Sequence, residues 1–374
     1  MKRKTVSLCM IARDEEACIG KAIKSALALV DEIVVVDTGS RDNTRIIAEG
    51  YGARIVDEVW HDDFASARNA ALAAAACDWV LMLDCDEQLQ SIRPVDFQRL
   101  LIDPGVIGYR LQLAEAGEGD GLDTRPLLRL FRNEPRVRYR YPVLEQVEPS
   151  LAALAQDTGQ AVVDSPLLLL HDPGNPDQRS RKRDRNLRLL RDALTASPEE
   201  PYFAHQLARE TLHVLDGEVL PVAGLRRNLD HLARAWRHVA GLSPEERGLV
   251  TYGPALAADY AAALLAVGDA GRAATATESA LDWWRDAGPL RLQAARAALA
   301  QLEAAAPDDR AGRASLAADV RRHLLTIDHA ALAANAAEAR LLLLSRLRLE
   351  GELALAENRV SDASEAFEHA LDHD

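Results

Sequence analysis

The stretch Trp79-Val80-Leu81-Met82-Leu83-Asp84-Cys85-Asp86-Glu87 decides the fold of this chain. Its five successive apolar residues, bounded by polar ones, are typical of a short buried strand. Asp84 and Asp86 follow at the carboxyl end, where ligands bind in an open α/β sheet. An Asp-x-Asp pair there can hold a hard divalent cation, which in turn can hold a diphosphate. Because an isolated Asp-x-Asp is also common in solvated turns, the surrounding segments decide between the two interpretations.

Composition limits the class of protein. The chain has 374 residues, enough for two domains, and is 48% hydrophobic and 27% charged, as soluble proteins are. The net charge of -14 argues against bulk nucleic-acid binding, which needs a cationic surface. No two of the four cysteines form a Cys-x-x-Cys pair, which favours free thiols in a reducing cytosol. No apolar run reaches the length of a transmembrane segment, so we expect a cytoplasmic protein, with a peripheral membrane contact left open.

Strand and helix patterns alternate through the first part of the chain. Residues 6–11, 33–36 and 53–56 are compact apolar segments typical of strands. Helical spacing of apolar residues follows the first two, and a helix over residues 65–76 precedes the Asp84 strand. This alternation predicts a doubly wound, mostly parallel sheet, which makes the first domain α/β.

The predicted strands bring polar residues to one edge of the sheet. These residues are Arg13, Asp14, Asp37, Thr38, Asp84 and Asp86. Asp37 is placed to accept hydrogen bonds from a ribose or a base, and the alternative is that it caps the turn ahead of Gly39. Carboxylates gathered at one edge repel each other, and a bound cation with phosphates would relieve the repulsion.

Four blocks of sequence resemble bacterial family 2 glycosyltransferases. They are SLCMIARDEE at 7–16, VDEIVVVDTGS at 30–40, WHDDFASARN at 60–69 and DWVLMLDCDE at 78–87. The resemblance covers roughly residues 5–190 and implies a GT-A fold, a nucleotide-sugar donor and a divalent metal, Mn²⁺ or Mg²⁺. The most similar subgroup carries a C-terminal helical repeat domain, and some of its members glycosylate peptides.

The resemblance also implies roles for individual residues. Around the donor it places Cys9, Ile11, Arg13, Glu15, Asp37, Thr38, Arg68, Asn69, Asp84, Cys85, Lys182 and Arg185. Asp37 would contact the base or ribose, Asp84 the ribose or sugar, and Asp86 the metal. Lys182 and Arg185 would lie over the diphosphate. They belong to a basic run over residues 179–191 whose other interpretation is a solvated helix face.

The acceptor side departs from the family pattern. Where the family usually has Ile-His-Glu, this chain has Val143-Leu144-Glu145. A carboxylate must take the proton from the acceptor in an inverting transfer, and Glu145 is the first candidate, followed by Asp63 and Glu87. Glu145 could also be an ordinary surface residue.

Two further polar residues belong to family blocks. Arg129 resembles part of an Arg-x-Phe block near the acceptor site, although it could also be solvated strand charge. His171 stands where GT-A enzymes can have a third metal ligand, and the alternative is a turn histidine without that role.

The second half of the chain changes character. From about residue 186 the composition turns to Ala, Leu and Arg with helical periodicity. Gly351, Ala363, Phe367 and Ala370 have the spacing of a tetratricopeptide repeat. We therefore predict a GT-A domain over residues 1–175 and an all-helical, tetratricopeptide-like domain over residues 176–374. Such a stack can bind a peptide or form a homo-oligomer, or it can simply stabilise the catalytic half.

Together these patterns predict a metal-dependent, inverting glycosyltransferase. It would move a sugar from a nucleotide-diphosphate donor, UDP by preference, to a hydroxyl or thiol, including one on a peptide or protein bound by the helical domain. A nucleotidyltransferase is disfavoured because no Gly-rich phosphate loop follows the first strand. The replacement of the usual histidine by Leu144 motivates another alternative, a catalytically weakened scaffold that binds a partner through its helices.

Overall fold

The chain folds into two compact units, Met1–Leu189 and Leu190–Asp374. The computed structural model describes residues 3–115, 124–213, 222–285, 287–327 and 336–372. The predicted order, an α/β domain followed by an all-helical domain, is confirmed. The boundary predicted after residue 175 falls at the start of helix Pro176–Ala196, whereas the two units divide inside that helix.

The first unit is built on one eight-stranded sheet. Its strands are β1 Val6–Ala12, β2 Glu32–Asp37, β3 Arg54–Asp57, β4 Trp79–Met82, β5 Glu87–Leu89, β6 Val106–Glu115, β7 Thr124–Arg132 and β8 Ala161–His171. Their order across the sheet is β3-β2-β1-β4-β7-β6-β8-β5. The pairs β1–β2, β1–β4, β2–β3 and β6–β8 are parallel, and the other three described pairs are antiparallel. Residues 114–121 contain three glycines and three acidic residues, which predicts a flexible loop or hairpin tip. This segment begins in β6, and its remainder lies outside the described residues.

Helices cover both faces of the β1–β4 region. The helices that begin in this unit are α1 Ile19–Ala26, α2 Thr44–Gly50, α3 Phe64–Ala74, α4 Pro94–Leu101, α5 Glu148–Thr158 and α6 Pro176–Ala196. Ile33 and Val35 of β2 pack in the same core as α1, whereas Val34 and Val36 pack in the core that contains α3. Burial on both faces explains why β2 is an unbroken apolar run instead of an alternating one.

The second unit is a stack of helices. They are α7 Pro201–His213, α8 Val222–Gly241, α9 Pro244–Gly248, α10 Gly253–Ala266, α11 Ala270–Trp283, α12 Gly288–Ala304, α13 Arg310–Leu325, α14 Ala336–Ala356 and α15 Val360–Asp372. Helices α10, α12 and α14 each pack against the helix that follows in the chain, and they also contact one another in succession. This is the arrangement of stacked helix pairs. Within the described ranges, no helix is long and apolar enough to cross a membrane.

The last helix pair is held close by a glycine. Gly351 of α14 is buried, and a β-carbon at this position would lie 2.6 Å from Cε1 of Phe367 on α15. Ala363 and Ala370, the small residues that the repeat spacing singled out on α15, are buried as well. The predicted repeat positions therefore correspond to a real close approach of two helices.

We expect Gly351→Ala to lower the melting temperature of the protein. Alanine would gain about 1 kcal/mol of helix propensity, but overpacking typically costs about 1–3 kcal/mol, and the Phe367 ring must move. The matched control is Gly271→Ala on α11, where nothing lies within 4 Å of the added carbon, so that propensity alone should raise the melting temperature. Circular dichroism melts of both variants test this. An equal rise in the melting temperatures of both variants would contradict the close packing of α14 on α15.

Candidate functional site

Two neighbouring pockets lie at the carboxyl edge of β1, β2 and β4. The central pocket, about 350 Å³, is lined by Asp84, Asp86 and Glu145 among others. The lateral pocket, about 620 Å³, contains Asp37 at the end of β2. The loop after β1 contributes to both, since Glu15 lines the first and Arg13 the second. The predicted convergence of three strand ends is therefore observed.

Asp84 is held by two buried arginines. Arg68 of α3 donates from Nη2 to Oδ1 at 2.7 Å, and Arg129 of β7 donates from Nη2 to Oδ2 at 2.6 Å. The two arginines are only 5% and 7% exposed. Burial opposes the ionisation of Asp84, but Arg129 and Arg68 outweigh it and hold the pKa of Asp84 well below its usual range. Both carboxylate oxygens of Asp84 are thus committed to the protein, and its contact with a ribose or sugar stays a prediction.

The same arginines reach two more carboxylates. Arg129 Nη2 also donates to Oε1 of Glu87 at 2.6 Å, and Arg68 Nε donates to Oε1 of Glu145 at 2.5 Å. Glu87 is 2% exposed, burial raises its pKa, and its Oε2 accepts a hydrogen bond from the backbone N–H of Asp84. Since both oxygens of Glu87 are engaged inside the protein, the structure offers this candidate base no contact with an acceptor.

The segment that carries Glu145 is a strained loop. Backbone hydrogen bonds of 2.9 and 3.0 Å join Arg140 and Gln146 in both directions and close the loop. Within it, Tyr141 and Leu144 have φ angles of 71° and 53°, a conformation that costs a non-glycine residue about 1–3 kcal/mol. Leu144 and Glu145 consequently both line the central pocket.

Two other residues named from the sequence, Asp63 and Asn69, form hydrogen bonds with backbone groups. Asp63 caps α3, where its side chain accepts a hydrogen bond from the backbone N–H of Ser66, and it is not among the residues that line the described pockets. Asn69 exchanges two hydrogen bonds with the backbone of Tyr139, at 2.9 and 2.8 Å, and so holds the chain that leads to Glu145. The resemblance implies for Asn69 either a position near the nucleotide or the holding of the loops around it; these hydrogen bonds fit the second role, and the first stays a prediction.

Asp86 faces two nitrogen groups. Its Oδ2 accepts a hydrogen bond from Nζ of Lys182 at 2.6 Å, and Nε2 of His171 lies 3.6 Å from the same oxygen. Burial disfavours the charge on Asp86, but its interactions with His171 and Lys182 lower its pKa. The interaction with Asp86 in turn raises the pKa of His171. The sheet explains the proximity, because Glu87 at the start of β5 pairs with His171 at the end of β8.

The donor set at Asp86 fits a divalent cation. Within the described ranges, no group of three or more His, Cys, Asp or Glu side chains is arranged to hold a metal. Asp86 and His171 nevertheless offer an oxygen and a nitrogen on one side of the pocket, and Nδ1 of His171 is buried without a partner among the described residues. A carboxylate and an imidazole suit Mn²⁺, and the phosphates of a nucleotide would supply further oxygens.

Ile11, Cys85 and Arg185 complete the lining of the central pocket, whereas Cys9 does not line it. The side chain of Cys9 is fully buried against α3, and burial raises the pKa of its thiol, so only its backbone can border a ligand. Ile11 and Cys85 line the pocket. Arg185 lies with its guanidinium 4.7 Å above the ring of Phe64, a cation–π contact that the sequence patterns did not predict.

In the lateral pocket, Asp37 has one satisfied and one unsatisfied oxygen. The residue is 2% exposed, and its Oδ1 accepts hydrogen bonds from the backbone N–H groups of Gly39 and Ser40. Oδ2 is buried and accepts no hydrogen bond within the part of the chain that the structure describes. Thr38 donates its hydroxyl proton to the carbonyl of Ala12. Turn capping therefore explains one oxygen of Asp37, and the other is a buried acceptor beside the lateral pocket whose lack of a partner among the described residues carries an energetic cost.

The arginine pair around Asp84 is the part of the site that the sequence patterns missed. Arg68 was expected near the nucleotide and Arg129 near the acceptor, and neither was expected to bind Asp84. A signal was present, because Arg129 interrupts the apolar run Leu127–Phe131 of β7. A charged residue inside a buried strand requires a partner of opposite charge.

We expect Arg129→Met to lower the free energy of unfolding by about 3–5 kcal/mol, because it leaves Glu87 buried without its cation. The matched control is Arg125→Met on the same strand, where the side chain is exposed and the expected change is within about 0.5 kcal/mol. Scanning calorimetry of both variants measures the effect. Equal stability of the two would show that the network does not hold the first unit together.

Comparisons with known proteins agree with the geometry. Residues 7–143 match the family described as "Glycosyl transferase family 2". A TPR repeat-containing protein of Synechococcus elongatus is 37% identical over 206 residues, 54% of this chain and 51% of the relative. An uncharacterized glycosyltransferase of Rickettsia bellii is 38% identical over 86 residues, 23% of this chain and 29% of the relative. The SPbeta prophage-derived glycosyltransferase SunS of Bacillus subtilis is 25% identical over 242 residues, 61% of this chain and 54% of the relative.

The likeness to solved structures is of low similarity. Glucosyl-3-phosphoglycerate synthase of Mycobacterium tuberculosis has 23% identity and a TM-score of 0.38, covering 50% of this chain and 79% of that one. TarS of S. aureus has 16% identity and a TM-score of 0.42, covering 67% of this chain and 53% of that one. The chain spans about half the length of its Synechococcus and Bacillus relatives. Its N-terminal unit carries a family 2 glycosyltransferase domain.

Proposed function

We propose that this chain, with its family 2 glycosyltransferase domain, transfers a sugar from a uridine-diphosphate donor to an acceptor hydroxyl or thiol, with a divalent metal and with inversion at the anomeric carbon. The observation that carries the proposal is the placement of two carboxylates, Asp37 and Asp86, at one edge of the sheet. Asp37 ends β2 and Asp86 follows β4, and these two strands flank β1. A nucleotide with its base in the lateral pocket would therefore carry its diphosphate into the central pocket.

The free oxygen of Asp37 supports uracil over guanine. Oδ1 is saturated by the N–H groups of Gly39 and Ser40, so only Oδ2 is left to accept a hydrogen bond from the base. Uracil presents one ring N–H between two carbonyls. Guanine presents a ring N–H beside an amino group and would need two adjacent acceptors. The single unsatisfied oxygen of Asp37 thus matches the single ring N–H of uracil, whereas guanine would need a second acceptor from elsewhere, and a donor left without one would cost about 1–3 kcal/mol.

In the central pocket, the cationic side chains are proposed to bind the diphosphate. Lys182 and Arg185 both line it from α6. Asp86 and His171 would hold the metal, and a bound Mn²⁺ or Mg²⁺ would neutralise the charge that develops on the leaving diphosphate. Lys182 and Arg185 add positive charge on the side of the pocket that α6 forms, where it would stabilise the same leaving group.

Glu145 is the proposed general base. Arg68 holds its Oε1, while Oε2 makes no hydrogen bond among the residues that the structure describes. The oriented carboxylate would take the proton from the acceptor hydroxyl or thiol as that atom attacks the anomeric carbon. Leu144, which replaces the histidine usual in the family, gives the neighbouring wall an apolar surface.

The helical unit is proposed to bind the acceptor, a peptide or protein. The support is its arrangement of stacked helix pairs, together with the similarity of the chain to a relative named for tetratricopeptide repeats. Self-association through the same unit remains a prediction. A cytoplasmic location is likewise a proposal, supported by four cysteines that are all free thiols.

Titration calorimetry with UDP and GDP, each with Mn²⁺ and with EDTA, tests the donor site. We expect UDP to bind with metal, and GDP to bind more weakly by tenfold or more, which is about 1.4 kcal/mol. Asp86→Ala should abolish the metal-dependent binding, whereas Asp157→Ala, which removes half of an exposed ion pair with Arg136, should not change it. Absence of binding by a folded sample would contradict the donor site.

Release of UDP from UDP-sugars separates an enzyme from the scaffold alternative. We expect slow hydrolysis of at least one of UDP-glucose, UDP-galactose and UDP-N-acetylglucosamine. Binding of UDP without any hydrolysis, and without transfer to added peptides, would favour the scaffold.

A further inference from the structure

We propose that the Lys182 ammonium is the resident cation of Asp86, that it exchanges with the divalent metal, and that it moves onto the diphosphate when metal and nucleotide bind together. The first half of this proposal, the exchange of Lys182 with the metal at Asp86, concerns only the protein and the metal. The second half, in which Lys182 moves to the diphosphate, rests on the proposed function.

The geometry at Asp86 makes the two cations competitors. Lys182 Nζ lies 2.6 Å from Oδ2, a charge-assisted hydrogen bond, and His171 Nε2 lies 3.6 Å from that same oxygen. A metal held jointly by Asp86 and His171 would have to lie beside this oxygen, where the ammonium now is. Two cations so close would repel each other strongly in a partly buried site. The bare metal must therefore displace Lys182.

Asp84, the other carboxylate of the Asp-x-Asp pair, cannot accept the displaced cation. Asp84 gives one oxygen to Arg68 and the other to Arg129, so neither cation can move to it. Glu15 lies near enough to interact electrostatically with both Asp86 and Lys182. The acidic surroundings of Asp86 thus favour a cation at all times, and in the absence of metal that cation is Lys182.

Lys182 can leave Asp86 without any movement of the backbone. Lysine carries a compact charge on a flexible four-carbon stem, and this side chain is 44% exposed. It projects from α6 into the central pocket, with Arg185 one turn further along. A diphosphate that bridges to a metal at Asp86 would lie in this pocket, within reach of the displaced ammonium. Lys182 would therefore weaken the binding of the metal alone and strengthen the binding of metal and nucleotide together. Metal and nucleotide would consequently each raise the affinity of the protein for the other.

The test begins with Mn²⁺ alone, measured as free Mn²⁺ by electron paramagnetic resonance. We expect Lys182→Met and Lys182→Gln to bind Mn²⁺ at least about tenfold more tightly than the unchanged protein, equivalent to 1.4 kcal/mol. Arg181→Met removes the same charge from an exposed neighbour on the same helix and should change the affinity less than about twofold. Lys182→Arg keeps the charge and should keep bare-metal binding weak.

The second measurement adds UDP at saturating Mn²⁺. We expect Lys182→Met to bind UDP at least about tenfold more weakly, the opposite direction from its effect on the bare metal. Unchanged or weaker Mn²⁺ binding by both neutral variants would overturn the exchange. Tighter Mn²⁺ with unchanged UDP affinity would overturn the movement onto the diphosphate. Tighter Mn²⁺ with no UDP binding by any protein, the unchanged one included, would support the exchange and refute the proposed function.

Discussion

The ion pairs of Asp84 with Arg68 and Arg129 are the constraint on which the site depends. They join the end of β4 to α3 and β7, and through Glu87 and Glu145 they reach β5 and the loop before α5. Removing either arginine would leave a buried carboxylate uncompensated, at a cost of about 3–5 kcal/mol. The network thereby fixes the strand ends against one another before any ligand binds, as a preorganised site requires.

One consequence is a division of roles between two carboxylates only two residues apart. Asp84 points its oxygens at arginines, whereas Asp86 presents its Oδ2 to Lys182 and His171 in the pocket. The same network leaves one oxygen of Glu145 available while the other is held. A buried arginine pair thus determines which carboxylate meets a cation and which can accept a proton.

Much of this could be predicted from the sequence, and the reason is periodicity. The apolar runs of β1, β2 and β4 and the helical spacing between them fix a parallel arrangement, and that arrangement brings Asp37 and Asp86 to one edge. The role of Asp84 could not be read in the same way, because its partners Arg68 and Arg129 lie 16 and 45 residues away along the chain. Glu87 and Asp63 looked like candidate bases because a sequence pattern shows residue type and spacing, whereas hydrogen bonds to Arg129 and to the backbone of α3 become visible only in three dimensions.

Thermal unfolding of Asp84→Asn and Asp86→Asn, each with and without Mn²⁺ and UDP, tests the division of roles most directly. The account predicts that Asp84→Asn lowers the free energy of unfolding by about 1–3 kcal/mol, because it weakens two hydrogen bonds to charged groups while Arg68 and Arg129 keep Glu145 and Glu87 as partners. The variant should keep the stabilisation on adding ligands, about 2.7 kcal/mol at a hundredfold excess over Kd. Asp86→Asn should melt within about 1 kcal/mol of the unchanged protein and show no such stabilisation. The reverse result, with stability lost at Asp86 and ligand response lost at Asp84, would contradict it.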